Sequence, residues 1–517
     1  MNDHDGGPLV RRSAGSNVAS LFAARARVHP DRPALEDGER RWTYADLDRR
    51  AGKLASVLAA SGVARGSRVA ILSENRTEYL EVFLAAARLG AVVACQSWRL
   101  APPELAHCLD LVEPQAVVVS PRFAAVLGGL GRPGGAPLVL GPDYEGALAR
   151  VEARPLADDL DPEDPLLILY TSGTTGLPKG AVLSHRAEIA RNLVLRAEFG
   201  IASDDAFVAW SPLYHMGAAE WSLGTLMAGG KVIVVDGFDR QRLAEIVGSE
   251  RLGWLLLMPG MVGAFAAELK RRGTVARGVK VCGVMADLVP RAEIAEITTL
   301  LGAPYANTFG ATETGCPPCS SSLIPVGVAP ARLSKEQSPF CEVRLVDERD
   351  EDVPDGSPGE LCMRGPTLFS GYWRAPETNE QDFRGGWFHM GDVFVRNPDG
   401  SLDFVDRVKY LIKTGGENVY PAEIERVLLQ EPRVVDAAVV RRADARWGEV
   451  PVAFVARRDE SLTADDLRAR CRASLAGYKQ PKDIVFISSE AFPRSASGKI
   501  QRHELERRLR ETGEPPP

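Results

Sequence analysis

The sequence predicts an α/β protein with a large N-terminal domain of mostly parallel, helix-covered sheets, a small β-barrel-like subdomain, and a small α+β C-terminal domain. Three observations predict it. Over roughly the first 330 residues, short apolar runs alternate with longer amphipathic ones, the rhythm of strands joined by crossover helices. From about Glu342 the segments become short, β-like and punctuated by Gly, Pro and Asp. Near Asp406 the texture shifts again, into a compact mixture of strands and helices.

In chain order, Val69 to Leu72 reads as a strand and Thr77 to Leu89 as a helix. Ala91 to Ala94, Ala116 to Val119, Leu166 to Tyr170, Ala206 to Trp210, Lys231 to Val235, Trp254 to Met258 and Val279 to Val284 read as further strands. Cys341 to Val346 and Gly359 to Met363 belong to the β-rich segment. Beyond it come a helix (Pro421 to Leu429), strands (Val435 to Val440, Pro451 to Ala456, Ile484 to Ile487) and another helix (Thr463 to Leu475). The boundaries expected are a disordered stretch 1–16, a large domain 17–406 whose β-rich part is 341–406, a linker 407–410, and a small domain 411–517.

The 517 residues exceed what one core organises, so two or more domains are expected. Hydrophobic residues at 45% and charged residues at 25% fit a globular protein. A net charge of -7 without a long basic patch argues against nucleic acid as the partner. No run of about 18 apolar residues offers a membrane span, and Met1 to Ser16 lacks the apolar stretch of a signal peptide, so a cytoplasmic protein is expected. The eight cysteines are scattered and do not read as a disulfide framework. Cys316-Pro317-Pro318-Cys319 leaves two readings open, a metal or redox pair and ordinary loop thiols.

The strongest local signal runs from Tyr170 through Thr171, Ser172, Gly173, Thr174, Thr175, Gly176, Leu177, Pro178 and Lys179 to Gly180. It follows an apolar strand and precedes a helix beginning near Ser184. Glycines let backbone N–H groups converge on an anion, the hydroxyls add donors, and Lys179 adds a full charge. The spacing is not that of P-loop NTPases, because no Ser or Thr follows Lys179. A Gly/Thr turn without ligand is the plain alternative.

This undecapeptide resembles the phosphate loop of the acyl-CoA synthetase, adenylation-domain and luciferase superfamily, and the resemblance extends from about Asn17 to Arg502 with the further motifs in the family's order. Asn307-Thr308-Phe309-Gly310-Ala311-Thr312-Glu313-Thr314 resembles the segment in which Glu313 would hold Mg²⁺, Thr312 would meet the α-phosphate, and Gly310 and Ala311 would border the nucleotide. Trp387-Phe388-His389-Met390-Gly391-Asp392 resembles the segment whose Asp392 would accept the ribose hydroxyls. Asp406-Arg407-Val408-Lys409 resembles the hinge: Arg407 would reach ribose or phosphate, and Lys409 would be the pivot of a mobile C-terminal lid. Lys413-Thr414-Gly415-Gly416-Glu417-Asn418 resembles the loop that admits a pantetheine arm, with Lys413 also toward the nucleotide and Gly415, Gly416 and Asn418 toward coenzyme A. In Pro493-Arg494-Ser495-Ala496-Ser497-Gly498-Lys499, Lys499 would bridge the substrate carboxylate and the α-phosphate. Pro212-Leu213-Tyr214-His215-Met216-Gly217 resembles the border of the acyl pocket and pantetheine tunnel. His215 would gate that tunnel or serve as a buried structural group. Gly217, Trp221, Phe309 and Gly310 would wall the acyl pocket, although a tryptophan such as Trp221 is more often plain core.

The resemblance implies an ATP-dependent acid–thiol ligase (EC 6.2.1 type) using ATP, Mg²⁺ and coenzyme A. A carboxylic acid is converted to acyl-AMP, and a thiol then displaces AMP, by domain alternation. Gly283-Val284-Met285-Ala286-Asp287-Leu288 departs from the family's small-residue stretch beside adenine, and Leu323 to Phe340 lacks its usual Gly-x-x-Gly-x-Pro. Bulk at Val284 and Met285 would cost packing against adenine, and a carboxylate at Asp287 would repel triphosphate. Weak ATP use, with thioester formation from a supplied acyl-AMP, is one consequence; an acyl pocket reshaped for a bulky acid is another. The rivals are a stand-alone adenylation enzyme loading a carrier-protein thiol and a non-enzymatic ATP-binding module. An apolar, aromatic or polycyclic acid is favoured, and monomer and homodimer are both open.

Overall fold

The computed structural model describes residues 15–131, 136–157, 160–172, 177–415, 417–494 and 500–512. The chain divides into two compact units, Met1–Glu342 with Arg364–Gly386, and Val343–Met363 with Trp387–Pro517.

The first unit is built on two sheets. A six-stranded sheet runs in the order Leu138–Val139, Ala116–Val119, Arg68–Leu72, Val92–Cys95, Pro165–Ser172, Pro178–Ser184. All neighbours are parallel except the last pair. Val69 to Leu72 and Val92 to Cys95 are buried at every position, as strands covered on both faces must be. An eight-stranded sheet is parallel from Tyr305–Ala306 through Val279–Cys282, Leu252–Leu255, Ala206–Ala209 and Val232–Val234 to Pro33–Asp37, and closes with an antiparallel strand at each edge. The helix Thr77–Leu89 is buried on all sides and belongs to the core shared with these strands. Its buried Glu81 accepts from Arg50 at 2.7 Å and from the Tyr144 hydroxyl, so the charge is partnered.

The second unit holds a four-stranded sheet, ordered Glu342–Val346, Pro358–Arg364, Phe388–Arg396, Leu402–Arg407, and a five-stranded one. In the latter, strands Val434–Asp444 and Gly448–Arg457 alternate strictly. Val439, Ala453 and Val455 pack with helices Pro421–Leu429 and Ala464–Ser474, while Val440, Val452 and Phe454 pack with helix Arg502–Thr512. Among the described residues no helix is long and apolar enough to cross a membrane.

Helices 77–89 and 421–429 and strand 116–119 fall where the pattern places them. Three differences stand out. Pro178–Ser184 is a strand paired antiparallel with Pro165–Ser172, so a strand intervenes before the helix, which begins at His185 with Ser184 as its N-cap, as expected. The strand expected over 254–258 is Leu252–Leu255, because the buried run continues past it and the Leu256 carbonyl accepts from the Trp210 indole at 2.9 Å. Most of the β-rich segment clusters with the C-terminal residues rather than with the large N-terminal body. Asp406, at the end of that sheet, ties it to helix Pro421–Leu429 by accepting the N–H of Ala422 at 2.7 Å. All eight cysteines are buried and none is in a disulfide, and Cys316 and Cys319 lie in a strand rather than in a loop.

Candidate active site

Tyr170, opposite Gly180, anchors the strand pair close to its loop end. Its hydroxyl donates to the Cys108 carbonyl at 2.9 Å and accepts from Gln96 at 3.0 Å. Cross-strand register then sets Thr171 opposite Lys179 and Ser172 opposite Pro178. Gly180 is required because a Cβ there would lie 2.8 Å from the Ile168 side chain. Gly173, Thr174, Thr175 and Gly176 lie outside the described residues.

The segment Ser370–Trp373 runs along the outer side of strand Pro178–Ser184. Ser370 donates to the Val182 carbonyl at 2.8 Å, Val182 to Gly371 at 3.0 Å, and Trp373 to Gly180 at 2.8 Å. Asn379 holds the intervening residue from behind: its side chain accepts the Tyr372 N–H at 2.7 Å and donates to the Tyr372 carbonyl at 2.9 Å. The result brings three groups together. The Lys179 ammonium sits 5.2 Å from the centre of the Tyr372 ring, and the Tyr372 hydroxyl donates to Glu313 Oε1 at 2.8 Å.

Glu313 rides on a tight turn between strands Phe309–Ala311 and Gly315–Cys319. Thr314 closes the turn, its hydroxyl accepting the Ala311 N–H at 3.0 Å and its own N–H donating to the Ala311 carbonyl at 3.0 Å. Gly310 permits the close pairing, since a Cβ there would stand 1.9 Å from the Gly315 carbonyl oxygen. The Glu313 carbonyl is held in turn by the Phe369 N–H at 2.8 Å. A half-buried carboxylate fixed by a hydroxyl is a hard oxygen donor and fits Mg²⁺.

On the acyl side, His215 is exposed at the N-cap of helix Met216–Ala228, and Gly217 lies in the first turn near Leu256. Trp221 is 4% exposed and packs edge-on to Trp254 with ring centres 4.5 Å apart, so it stands in an aromatic core. Tyr305 lies against Gly283, and its hydroxyl donates to the Val284 carbonyl at 3.0 Å. Met285 adopts a left-handed conformation (φ 49°), which favours glycine. Asp287 does not present an unpaired charge. The Lys335 ammonium, wholly buried, reaches it at 2.6 Å and Asn307 Oδ1 at 2.7 Å. The two departures seen in the sequence are thus partners: Lys335 supplies the cation that offsets Asp287, which removes the argument that this carboxylate repels triphosphate.

In the second unit, Asp392 is 2% exposed and receives both Arg407 contacts, Nε at 2.8 Å and Nη2 at 3.3 Å. Gly391 precedes it at φ 70°, donating its N–H to Glu360 at 3.0 Å. His389 stands 3.1 Å from the other Glu360 oxygen and 3.2 Å from the Cys362 thiol. This imidazole–carboxylate–thiol cluster fixes the turn that aims Asp392. Lys409 lies over the Tyr410 ring at 4.9 Å, and its carbonyl accepts from Arg441. Lys413 pairs with Glu348 at 2.6 Å. Gly415 (φ 58°) turns between strands Ile412–Thr414 and Glu417–Val419, with Asn418 exposed opposite Lys413. The Trp447 ring crosses directly over Gly415, where a Cβ would lie 2.8 Å from it. Gly416 and Lys499 lie outside the described residues. The stem of the Lys499 segment is closed by an Arg494–Ile500 bridge and the Gln501 N–H on the Pro493 carbonyl.

Residues 22–373 match the family model of the AMP-binding enzyme, and residues 423–499 match the AMP-binding enzyme C-terminal domain. The chain belongs to the AMP-binding enzyme family. Among its relatives in that family, a feruloyl-CoA synthase from Amycolatopsis is 36% identical over 95% of this chain and 99% of its own. An indoleacetate–CoA ligase from Aromatoleum aromaticum is 34% identical over 93% and 96%. Among solved structures, ATP-bound MatB from Rhodopseudomonas palustris is similar with a TM-score of 0.81 and 29% identity, over 96% of this chain and 100% of that one.

In this AMP-binding enzyme the structure joins Lys179 with Glu313, and Asp392 with Arg407. Sequence reasoning missed Tyr372, Trp447 and Lys335. Tyr372 is 59 residues from Glu313 and 193 from Lys179, and no local spacing marks such a contact. Lys335 had a signal: an isolated lysine within the stretch that departs from the family pattern, with an unexplained Asp287 upstream.

Proposed function

We propose that this AMP-binding enzyme is an acyl-CoA ligase that activates an apolar, aromatic acid. The observation that carries the reading is the Lys179–Tyr372–Glu313 arrangement, which sets a cation and a metal-suited carboxylate beside the stem of a Gly/Thr-rich loop. Relatives that act on feruloyl and indoleacetyl groups support an aromatic acid.

In the first half-reaction a carboxylate oxygen attacks the α-phosphorus of ATP. The α–β phosphoanhydride bond breaks and pyrophosphate leaves with the bonding electrons. Lys179 and the loop hydroxyls and amides hold the departing phosphates, and Thr312 and Lys499 meet the α-phosphate. Glu313 would hold Mg²⁺, which neutralises phosphate charge when bound. Asp392 would accept the ribose hydroxyls, with Arg407 as the ion-pair partner it exchanges for them. In the second half-reaction the thiolate of coenzyme A attacks the acyl carbon and AMP departs. Gly415, Gly416 and Asn418 would pass the pantetheine arm, with Lys409 as pivot, and His215, Gly217, Phe309 and Gly310 bordering the acyl group in front of Trp221. Pairing of Asp287 with Lys335 supports intact ATP use.

The test is isotope exchange between pyrophosphate and ATP with a panel of hydroxycinnamic, indolic and aliphatic acids, followed by mass detection of products with coenzyme A and with a holo-carrier protein side by side. Acid-dependent exchange and an acyl-CoA product are expected. Absence of exchange with every acid, while supplied acyl-AMP is still converted to thioester, would replace ATP-driven activation with thioester formation alone.

A further inference from the structure

Below the Glu313 turn lies a charged cluster that the reaction scheme does not use. Helix His185–Phe199 carries Glu188, Arg191 and Asn192, and helix Met216–Ala228 carries Glu220, all of them buried. Arg191 is 1% exposed, and each of its three guanidinium nitrogens donates a hydrogen bond. Nη1 donates to Glu220, Nη2 to the Thr312 carbonyl at 3.1 Å, and Nε to the Thr367 carbonyl at 2.8 Å. Its stem presses on Gly315 (φ 78°), where a Cβ would come 2.9 Å from Arg191 Cδ. Burial raises the pKa of both carboxyls, Glu188 the further with the Glu220 charge adding to it, while the Arg191 guanidinium opposes the rise at Glu220. Asn192 ties the cluster together, donating to Glu188 Oε1 at 2.8 Å and seated against Gly224.

The two carbonyls that Arg191 grips belong to the two segments that hold Glu313. Thr312 precedes it in the turn. Thr367 begins the run in which Phe369 donates to the Glu313 carbonyl and Tyr372 to its carboxylate. We propose that Arg191, anchored by Glu220, is a positioning residue that sets the Glu313 carboxylate for Mg·ATP. This rests on the assignment of Glu313 as the metal-facing carboxylate. A planar fork can bond a carboxylate and two carbonyls at once, whereas an ammonium at the same place cannot hold that geometry. Groups behind a ligand typically alter metal affinity or activity by about 10-fold or more when removed.

The experiment measures ATP binding by calorimetry on the full chain, with Mg²⁺ and with EDTA, for wild type, Arg191→Lys and Glu220→Gln. Thermal unfolding and the Mg²⁺ dependence of pyrophosphate exchange are followed in parallel. In wild type, Mg²⁺ should tighten ATP binding. In Arg191→Lys that tightening should shrink roughly 10-fold and the Mg²⁺ half-saturation of exchange should rise, while ATP affinity in EDTA stays within about 2-fold. Glu220→Gln keeps the guanidinium and should shift the same ratio less; if Arg191→Lys does not fold, this variant decides, and an unchanged ratio overturns the proposal. Equal loss of affinity with and without Mg²⁺ also overturns it, since a merely structural role predicts that. Wild-type binding indifferent to Mg²⁺ is a separate outcome, and overturns the Glu313 assignment itself.

Discussion

Tyr372 carries more of the site than its position in the sequence suggests, because one ring serves two partners. Its face meets Lys179 and its hydroxyl meets Glu313. A hydrogen bond to a charged group contributes about 1.5–3 kcal/mol, so Tyr372→Phe should slow pyrophosphate exchange by about 10- to 100-fold while lowering the melting temperature by several degrees at most. Exchange at the wild-type rate would remove the hydroxyl from the site. Gly415 is the corresponding case in the second unit. Its φ of 58° disfavours any side chain, and Trp447 occupies the space a Cβ needs. Gly415→Ala should therefore impair thioester formation from supplied acyl-AMP and spare exchange, as separate assays of the two half-reactions would reveal. An equal fall in both would refute the division.

Elements are joined by buried polar groups whose protonation matters. His185 opens helix His185–Phe199 and accepts the Val18 N–H at 3.2 Å, linking this helix to helix Val18–Val28. Burial lowers its pKa to about 4, against a weaker opposing pull from Asp164. An unfolded chain, with histidine near 6.5, binds more protons between these values, so stability is fully present above about pH 6.5 and falls as pH drops toward 4. The full loss from this group is on the order of 3 kcal/mol. His185→Asn keeps an acceptor without a titrating ring, so urea unfolding from pH 7 to 4.5 should show a shallower decline than wild type; parallel curves would refute the linkage. Asp406 joins elements without a ring, its carboxylate accepting the N–H groups of Arg407 and Ala422 at 2.7 Å each and so tying a strand end to a helix start.

For the whole molecule, the proposed chemistry divides between the two compact units. The first holds Lys179, Glu313 and the acyl-side residues; the second holds Asp392, Arg407, Gly415 and the stem of the Lys499 segment. Lys499→Ala should cut adenylation by about 10²–10³, as expected for one preorganised donor, and leave conversion of supplied acyl-AMP to acyl-CoA largely intact. Single-turnover assays of each half would show it, and equal loss in both would overturn the assignment.

Much of this was readable from residue order alone. Apolar runs at 69–72 and 116–119 and the amphipathic run at 421–429 declared strands and a helix, because burial on two faces or one imposes its own period. The motif residues declared the chemistry, because phosphate needs amides, hydroxyls and a cation close together. Strand 178–184 was hidden, since its pairing with 165–172 depends on a partner across the loop. Local sequence thus determined which groups are present and which short elements carry them. Only the tertiary structure decided that Tyr372 stands between Lys179 and Glu313, that Lys335 neutralises Asp287, and that Arg191 grips two carbonyls 55 residues apart. Contacts across that separation arise from how sheets and helices stack, and no local period encodes them.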